Sequence, residues 1–81
     1  MSLRLKIVSP EKVEYDGEAV SVLVPGTLGG FEILEGHAPI ISSLQTGVVT
    51  YSTKEDRRSL NISGGFVEVQ KNAVSMCVEK V

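Results

Sequence analysis

The chain has a single cysteine, Cys77, and a single histidine, His37, among its 81 residues. A lone thiol excludes an intramolecular disulfide and a multi-thiolate metal site, and it fits a reducing compartment. One His, one Cys and scattered carboxylates do not supply ligand pairs at metal-binding spacing, so no zinc or other metal site is expected. Charge of one sign is also scarce. The 8 Lys and Arg against 10 Asp and Glu leave a formal net charge of −2, which gives no electrostatic drive toward nucleic acid or anionic lipid. No apolar run approaches the roughly 18 residues that a membrane span requires, so membrane association is expected only through another protein. The start, Met1-Ser2-Leu3-Arg4-Leu5-Lys6, alternates apolar with polar or charged residues, unlike a secretory or transit segment. Helical spacing is missing as well: apolar residues nowhere recur at three and four over a helix's length, and 8 Gly with 3 Pro subdivide the chain.

What is present is period two. Leu3, Leu5 and Ile7 alternate with Arg4 and Lys6, Ser9-Pro10-Glu11 interrupts, and Val13 and Tyr15 resume before Asp16-Gly17, which reads as a turn. Val20, Val22 and Val24 alternate until Pro25-Gly26, where a type II turn with positive φ at Gly26 is expected. The least regular part follows, from the glycines at 26, 29 and 30 through Phe31–Leu34 to Gly36-His37-Ala38-Pro39. Ile40, Ile41 and Leu44 lead to Thr46-Gly47; Val49 and Tyr51 alternate with Thr50 and Ser52 up to a charged tip at residues 53–58. Leu60 and Ile62 return, and Ser63-Gly64-Gly65 reads as another break. Phe66, Val67 and Val69 then face Val74, Met76 and Val78 across Lys71-Asn72, a hairpin turn whose Asn tolerates left-handed geometry. Short strands at this spacing predict one all-β domain over residues 1–81, an antiparallel sandwich or barrel with no helix. A domain this small has a margin on the order of 5 kcal/mol, so a permanent partner would stabilise it.

No reacting group stands out. A Ser-His-Asp arrangement would need His37 as base with Ser42 or Ser43 as nucleophile, and the Gly-x-Ser-x-Gly elbow is missing. The glycines at 26, 29 and 30 are not followed by Lys-Ser or Lys-Thr and have no helix behind them, so they read as turn residues and not as a nucleotide cradle. Glu32 and Glu35 read as solvated carboxylates, and Arg57-Arg58 as a hairpin tip neutralised by Glu55-Asp56. Cys77 lies between Met76 and Val78 with no adjacent cation, which reads as a packed or unreactive thiol. No catalytic residue, cofactor or small-molecule substrate is expected; a soluble β domain that works by binding is.

Leu5-Lys6-Ile7-Val8-Ser9-Pro10-Glu11 resembles the opening of F-type ATP synthase ε subunits. Further blocks match in register: Val22–Gly26, Gly29–Ile40 against the family's G-x-F-G-I-L-P-G-H-A-P-L, Leu44–Val48, and Gly64-Gly65-Phe66-Val67-Glu68-Val69. The resemblance covers nearly the whole chain. It implies a flattened antiparallel β-sandwich of about ten short strands, packed against the γ subunit and the c-ring. Carried over position by position, the c-ring contact falls on Leu28, Gly29, Gly30, Phe31 and Glu32. The γ-facing side falls on Ser9, His37, Ile41 and Ser42.

The chain departs from the family pattern where Gly30 replaces a frequent acidic residue, Glu32 a glycine, and Glu35 a proline. Two positions along a strand keep the same face, so Glu32 is expected to retain the charge lost at position 30. Typical ε subunits continue into a two-helix C-terminal domain that can inhibit ATP hydrolysis; nothing follows the last strand here, so this chain is expected to lack that brake. The implied role is a non-catalytic rotor part at the cytoplasmic face of the bacterial inner membrane, clamping c-ring to γ. A free-standing sandwich binding a ligand or peptide is the alternative, and a small hydrolase centred on His37 a third.

Overall fold

The computed structural model describes residues 2–81, and every regular element in it is a strand: β1 Leu3–Val8, β2 Val13–Ala19, β3 Ser21–Val24, β4 Phe31–Ile33, β5 Ile40–Leu44, β6 Gly47–Ser52, β7 Arg57–Gln70 and β8 Ala73–Lys80. Eight strands form, where the family resemblance implied about ten. The hydrogen-bonded order is β2-β1-β8-β7-β6-β3-β4, with β5 also beside β7. All but one pairing are antiparallel. The exception is β1 with β8, which run parallel with Leu5 opposite Val74 and Ile7 opposite Met76.

Alternation decides which side of each strand is buried. Leu3, Leu5 and Ile7 are buried between exposed Arg4 and Lys6, and Val74, Met76 and Val78 between exposed Ala73, Ser75 and Cys77. Every strand contributes to one apolar cluster. A single sheet can pool one face of all its strands in one core only by folding over itself, which makes the sandwich. Its shortest dimension, 18 Å, suits two sheets about 10 Å apart with outer side chains added.

The fold-over happens in β7. Residues Arg57 to Ile62 pair with β6, whereas Gly65 to Val69 pair with β5. Between them the register against β8 slips at Ile62/Gly64. Such a bulge shifts the side-chain parity by one, so Leu60 and Ile62 point inward before it and Val67 and Val69 after it. Ser63-Gly64-Gly65 is therefore not a break between strands but the bend within one. The same shift turns Phe66 away from the core, half exposed on the outside, instead of toward Val74 as period two suggests.

Two other turn expectations move. Asp16-Gly17 lies inside β2, and the chain bends at Val20, between β2 and β3, where the Val20 side chain is exposed and not part of the buried Val22 and Val24 row. Gly17 serves packing: a Cβ there would sit 2.9 Å from the Tyr15 hydroxyl, so its absence lets the ring fold back along the strand. The Tyr15 hydroxyl donates to the Glu18 carbonyl at 2.6 Å, and the ring meets Tyr51 at 4.8 Å between centroids. At Pro25-Gly26 the positive φ appears three residues on, at Gly29. Pro25 and Gly26 are instead held beside β5: the Gln45 amide N–H donates to the Pro25 carbonyl at 2.9 Å, and Gly26 bridges Leu44. The Lys71-Asn72 turn forms as expected, with φ of 52° and 64°, the two positive values of a type I′ hairpin.

Candidate functional site

Two outward-facing regions carry the residues singled out from sequence. The first is the turn from Gly26 to Gly29, closed by the Gly29 N–H donating to the Gly26 carbonyl at 3.0 Å. Thr27 ties it to β5, through its N–H to the Ser43 carbonyl at 3.1 Å and its hydroxyl to that of Ser43 at 3.0 Å. With both flanks fixed, Leu28 stands wholly in solvent at the tip. Gly29, at φ 128°, takes a conformation that suits glycine. Phe31 opens β4 and does not share that exposure: it is half buried, packs on the core and covers Gly26, where a Cβ would come within 3.0 Å of its ring. Glu32 is exposed opposite Leu23, on the other side of β4 from Phe31.

Of the second set, His37 is brought to the first, its ring 6.1 Å from that of Phe31. Its loop is fixed by the His37 N–H to the Leu34 carbonyl at 3.1 Å and by the Gly36 N–H to Asn72 Oδ1 at 2.8 Å. His37 Nδ1 lies 2.8 Å from the Ala38 carbonyl. Neither serine of the hydrolase reading pairs with it: Ser42 donates to the Ser43 carbonyl, and Ser43 pairs with Thr27. Ile41 is 73% exposed on the outer side of β5, opposite Glu68, while Ser42 faces the opposite way.

Ser9 sits at the corner between β1 and β2, where its N–H donates to the Lys12 carbonyl at 2.9 Å. Its hydroxyl donates to Glu14 Oε2 at 2.8 Å, and Glu14 Oε1 lies 3.4 Å from Lys80 Nζ. The Ser9 hydrogen bond holds the Glu14 carboxyl below its ordinary value of 4.5, and the Lys80 ammonium adds to it against the opposing cost of burial. A depressed carboxylate contributes stability above its unfolded value and loses it as pH falls through the folded one. Acidification below about pH 4.5 is therefore expected to loosen the Ser9 corner and the end of β8. Urea melts at pH 7 and pH 3 on wild type and Glu14→Gln check this; an equal pH dependence in both would remove Glu14 as a cause.

Sequence reasoning passed over the outer side of β1, β8 and β7, where Val8, Pro10, Phe66 and Cys77 line a mainly apolar cleft. Phe66, expected to face Val74, Met76 and Val78, is half exposed, and Cys77, expected to be a packed or unreactive thiol, is exposed. The signal was the Gly64-Gly65 pair, which hides the change of parity just before Phe66. A second cleft, between Tyr15, Glu18, Asp56 and Arg58, has a mixed polar and apolar lining, and in it Arg58 lies 3.3 Å from Asp56 and 6.0 Å from the Tyr15 ring centroid. Among the described residues no three His, Cys, Asp or Glu come together as a metal would need, and no helix is long and apolar enough to cross a membrane.

A two-layered sheet with a rigidly held apolar tip at a turn and an apolar outer face belongs to the class of small β-sandwich domains that present surface and not a pocket. The chain belongs to the family of the ATP synthase delta/epsilon chain β-sandwich domain, which it matches over residues 2–81. The ATP synthase epsilon chain of Leptospira interrogans serogroup Icterohaemorrhagiae serovar copenhageni is 39% identical over 77 residues, covering 95% of this chain and 61% of the relative. That of Gloeothece citriformis is 38% identical over 78 residues, covering 96% and 56%. The chain thus spans less than two thirds of the length of these relatives. In solved structures the fold recurs in the Euglena gracilis mitochondrial ATP synthase, OSCP/F1/c-ring, with a TM-score of 0.89 at 18% identity over 95% of this chain and 50% of that one. It recurs in the Tetrahymena thermophila mitochondrial ATP synthase central stalk/c-ring with a TM-score of 0.83 at 15% identity, over 99% and 65%.

Proposed function

We propose that this chain acts as the β-sandwich part of an ε-type rotor subunit of an F-type ATP synthase, joining the c-ring to a γ-type shaft so that ring rotation reaches the catalytic head. It performs no bond chemistry of its own in this reading, takes no cofactor and belongs to the peripheral F1 portion at the cytoplasmic face of a bacterial inner membrane. The observation that carries the proposal is family membership across residues 2–81. Relatives named epsilon chain, and neighbours described with a central stalk and c-ring, support it.

The c-ring contact is assigned to Leu28, Gly29, Gly30, Phe31 and Glu32, and the γ-facing side to Ser9, His37, Ile41 and Ser42. A coupling joint needs a durable interface, typically above about 1,000 Å² with an apolar centre, and Leu28 is the side chain most available to seed one. Because Phe31 packs on the core, an aspartate there would disturb the fold as well as any contact. Leu28→Asp separates the two. It is expected to leave the unfolding free energy within about 0.5 kcal/mol of wild type and to weaken attachment to the c-ring by roughly 10–100-fold, read by co-purification of c-ring and γ. Retention of the c-ring at wild-type level by the folded variant would refute the assignment. Failure of the unmodified chain to bind either partner, together with thermal stabilisation by a metabolite, would favour the free-standing ligand-binding reading.

A further inference from the structure

The hairpin that joins β7 to β8 turns on Lys71 and Asn72, with φ of 52° and 64°, between the paired residues Gln70 and Ala73. Glycine is the usual second residue of such a turn, because positive φ suits it without strain. Asparagine stands there instead, and its side chain is in use. Asn72 Oδ1 accepts the Gly36 N–H at 2.8 Å, across 36 residues of chain, while the Asn72 carbonyl accepts the Arg4 N–H at 2.8 Å. One residue thus ties the hairpin both to the start of β1 and to the loop between β4 and β5.

That loop, residues 34–39, has little else to hold it. Leu34, Glu35, Gly36, Ala38 and Pro39 are exposed, and only His37 is partly buried. Among the described residues its other hydrogen bonds stay inside it, the His37 N–H to the Leu34 carbonyl at 3.1 Å and His37 Nδ1 with the Ala38 carbonyl at 2.8 Å. Pro39 has no N–H to anchor the far end. Gly36, at φ 84° with open space where a Cβ would stand, takes no shape from packing. A loop with so few buried contacts opens readily, and a single bond to the sandwich selects one of its many shapes. The shape selected sets the His37 ring 6.1 Å from that of Phe31, so the loop brings together a residue of each of the two contact sets assigned above.

We propose that Asn72 is a positioning residue of the partner-binding surface: by accepting the Gly36 N–H it fixes the loop so that His37 is presented beside Phe31, where the two contact sets meet. The inference rests on the rotor reading above and adds a residue outside both sets, on a hairpin that neither includes. Two substitutions divide its tasks. Glycine keeps the turn and deletes the acceptor, whereas aspartate tolerates positive φ and keeps an acceptor oxygen.

Thermal melts of the full chain carrying Asn72→Gly or Asn72→Asp are expected to lie close to wild type, since each variant keeps the hairpin. Amide exchange at Gly36, read by NMR, is expected to speed at least about tenfold in Asn72→Gly and to stay at the wild-type rate or below in Asn72→Asp, with the β7–β8 amides unchanged in both. Kd for the γ-type subunit, titrated by calorimetry, is expected to rise about three- to tenfold in Asn72→Gly and to return in Asn72→Asp. In a His37→Ala background Asn72→Gly is expected to add less than about twofold, because residues that act through one another do not add. An unaltered Gly36 exchange rate in Asn72→Gly overturns the anchoring. Faster exchange with an unchanged Kd overturns the positioning role, and a full added loss in the His37→Ala background overturns the route through His37. Midpoint and affinity falling together in both variants would make Asn72 a turn residue and overturn the proposal. If the unmodified chain does not bind γ, the rotor reading falls and the positioning role with it, whatever Gly36 shows.

Discussion

Replacing Gly65 with alanine is expected to cost about 3 kcal/mol or more, most of the margin of a domain this size. Gly65 lies where β7 bends between layers, at φ 148°, a value that penalises any side chain. A Cβ there would fall deep inside the contact distance of the Cys77 carbonyl oxygen and 2.9 Å from Val78 Cα, both backbone atoms of β8. Neither can rotate aside, so the clash must be relieved by parting β7 from β8 just after the bend that joins the two layers. Gly64→Ala is the matched control, since its added methyl would find nothing nearer than 3.8 Å. Urea titration of the two variants should show a large fall in midpoint for Gly65→Ala and a small one for Gly64→Ala. Equal midpoints would mean that the strand does not follow this path.

Leu5→Ala is expected to cost about 2–5 kcal/mol and to leave a chain only marginally folded. Leu5 is fully buried in β1, between Gly17 of β2 and Val74 of β8. Gly17 has no side chain to move into the space, and Tyr15, which covers that glycine, is fixed by its hydrogen bond to the Glu18 carbonyl. The hole therefore stays open, and the cost lies toward the upper end for such a truncation. Lys6→Ala, one position along and exposed, should stay within about 0.5 kcal/mol. Thermal melts followed by circular dichroism compare the two; a midpoint for Leu5→Ala close to that of Lys6→Ala would show that the site had collapsed around the loss.

The strands themselves were legible because burial in this fold is one-sided, and one-sided burial writes itself as period two. Leu3-Leu5-Ile7 and Val74-Met76-Val78 could be assigned to the core without coordinates, and the Lys71-Asn72 turn could be placed by Asn alone. What escaped were features set by long-range contact. Asp16-Gly17 has a turn's composition, but Tyr15 uses the glycine as a platform. Pro25-Gly26 has one too, but the end of β5 holds both residues in line. The parallel pairing of β1 with β8 leaves no local trace, since its partners are some 69 residues apart, as Arg4 and Ala73 show.

For the surfaces, family motifs pointed to the exposed turn at Leu28 and to Ile41, while alternation could not separate Phe31, tucked onto the core, from the residues around it. Phe66 was hidden by a one-residue slip in β7 that flips every side chain beyond it, whereas Cys77 faces outward by the plain alternation of Val74, Met76 and Val78 in β8. A bulge is invisible to a reader counting twos, and it is here that the face with the most continuous apolar character arises.

The adjacency of β1 and β8 also sets the order of events at the ribosome. The β1 strand acquires one of its two neighbouring strands only when positions 73–77 have emerged, so the nascent polypeptide carries Leu3, Leu5 and Ile7 half-covered until then. Closure is a late, nearly all-or-none step, and any pause in translation shortly before residue 73 prolongs the interval in which that apolar row is open to chaperones or to aggregation.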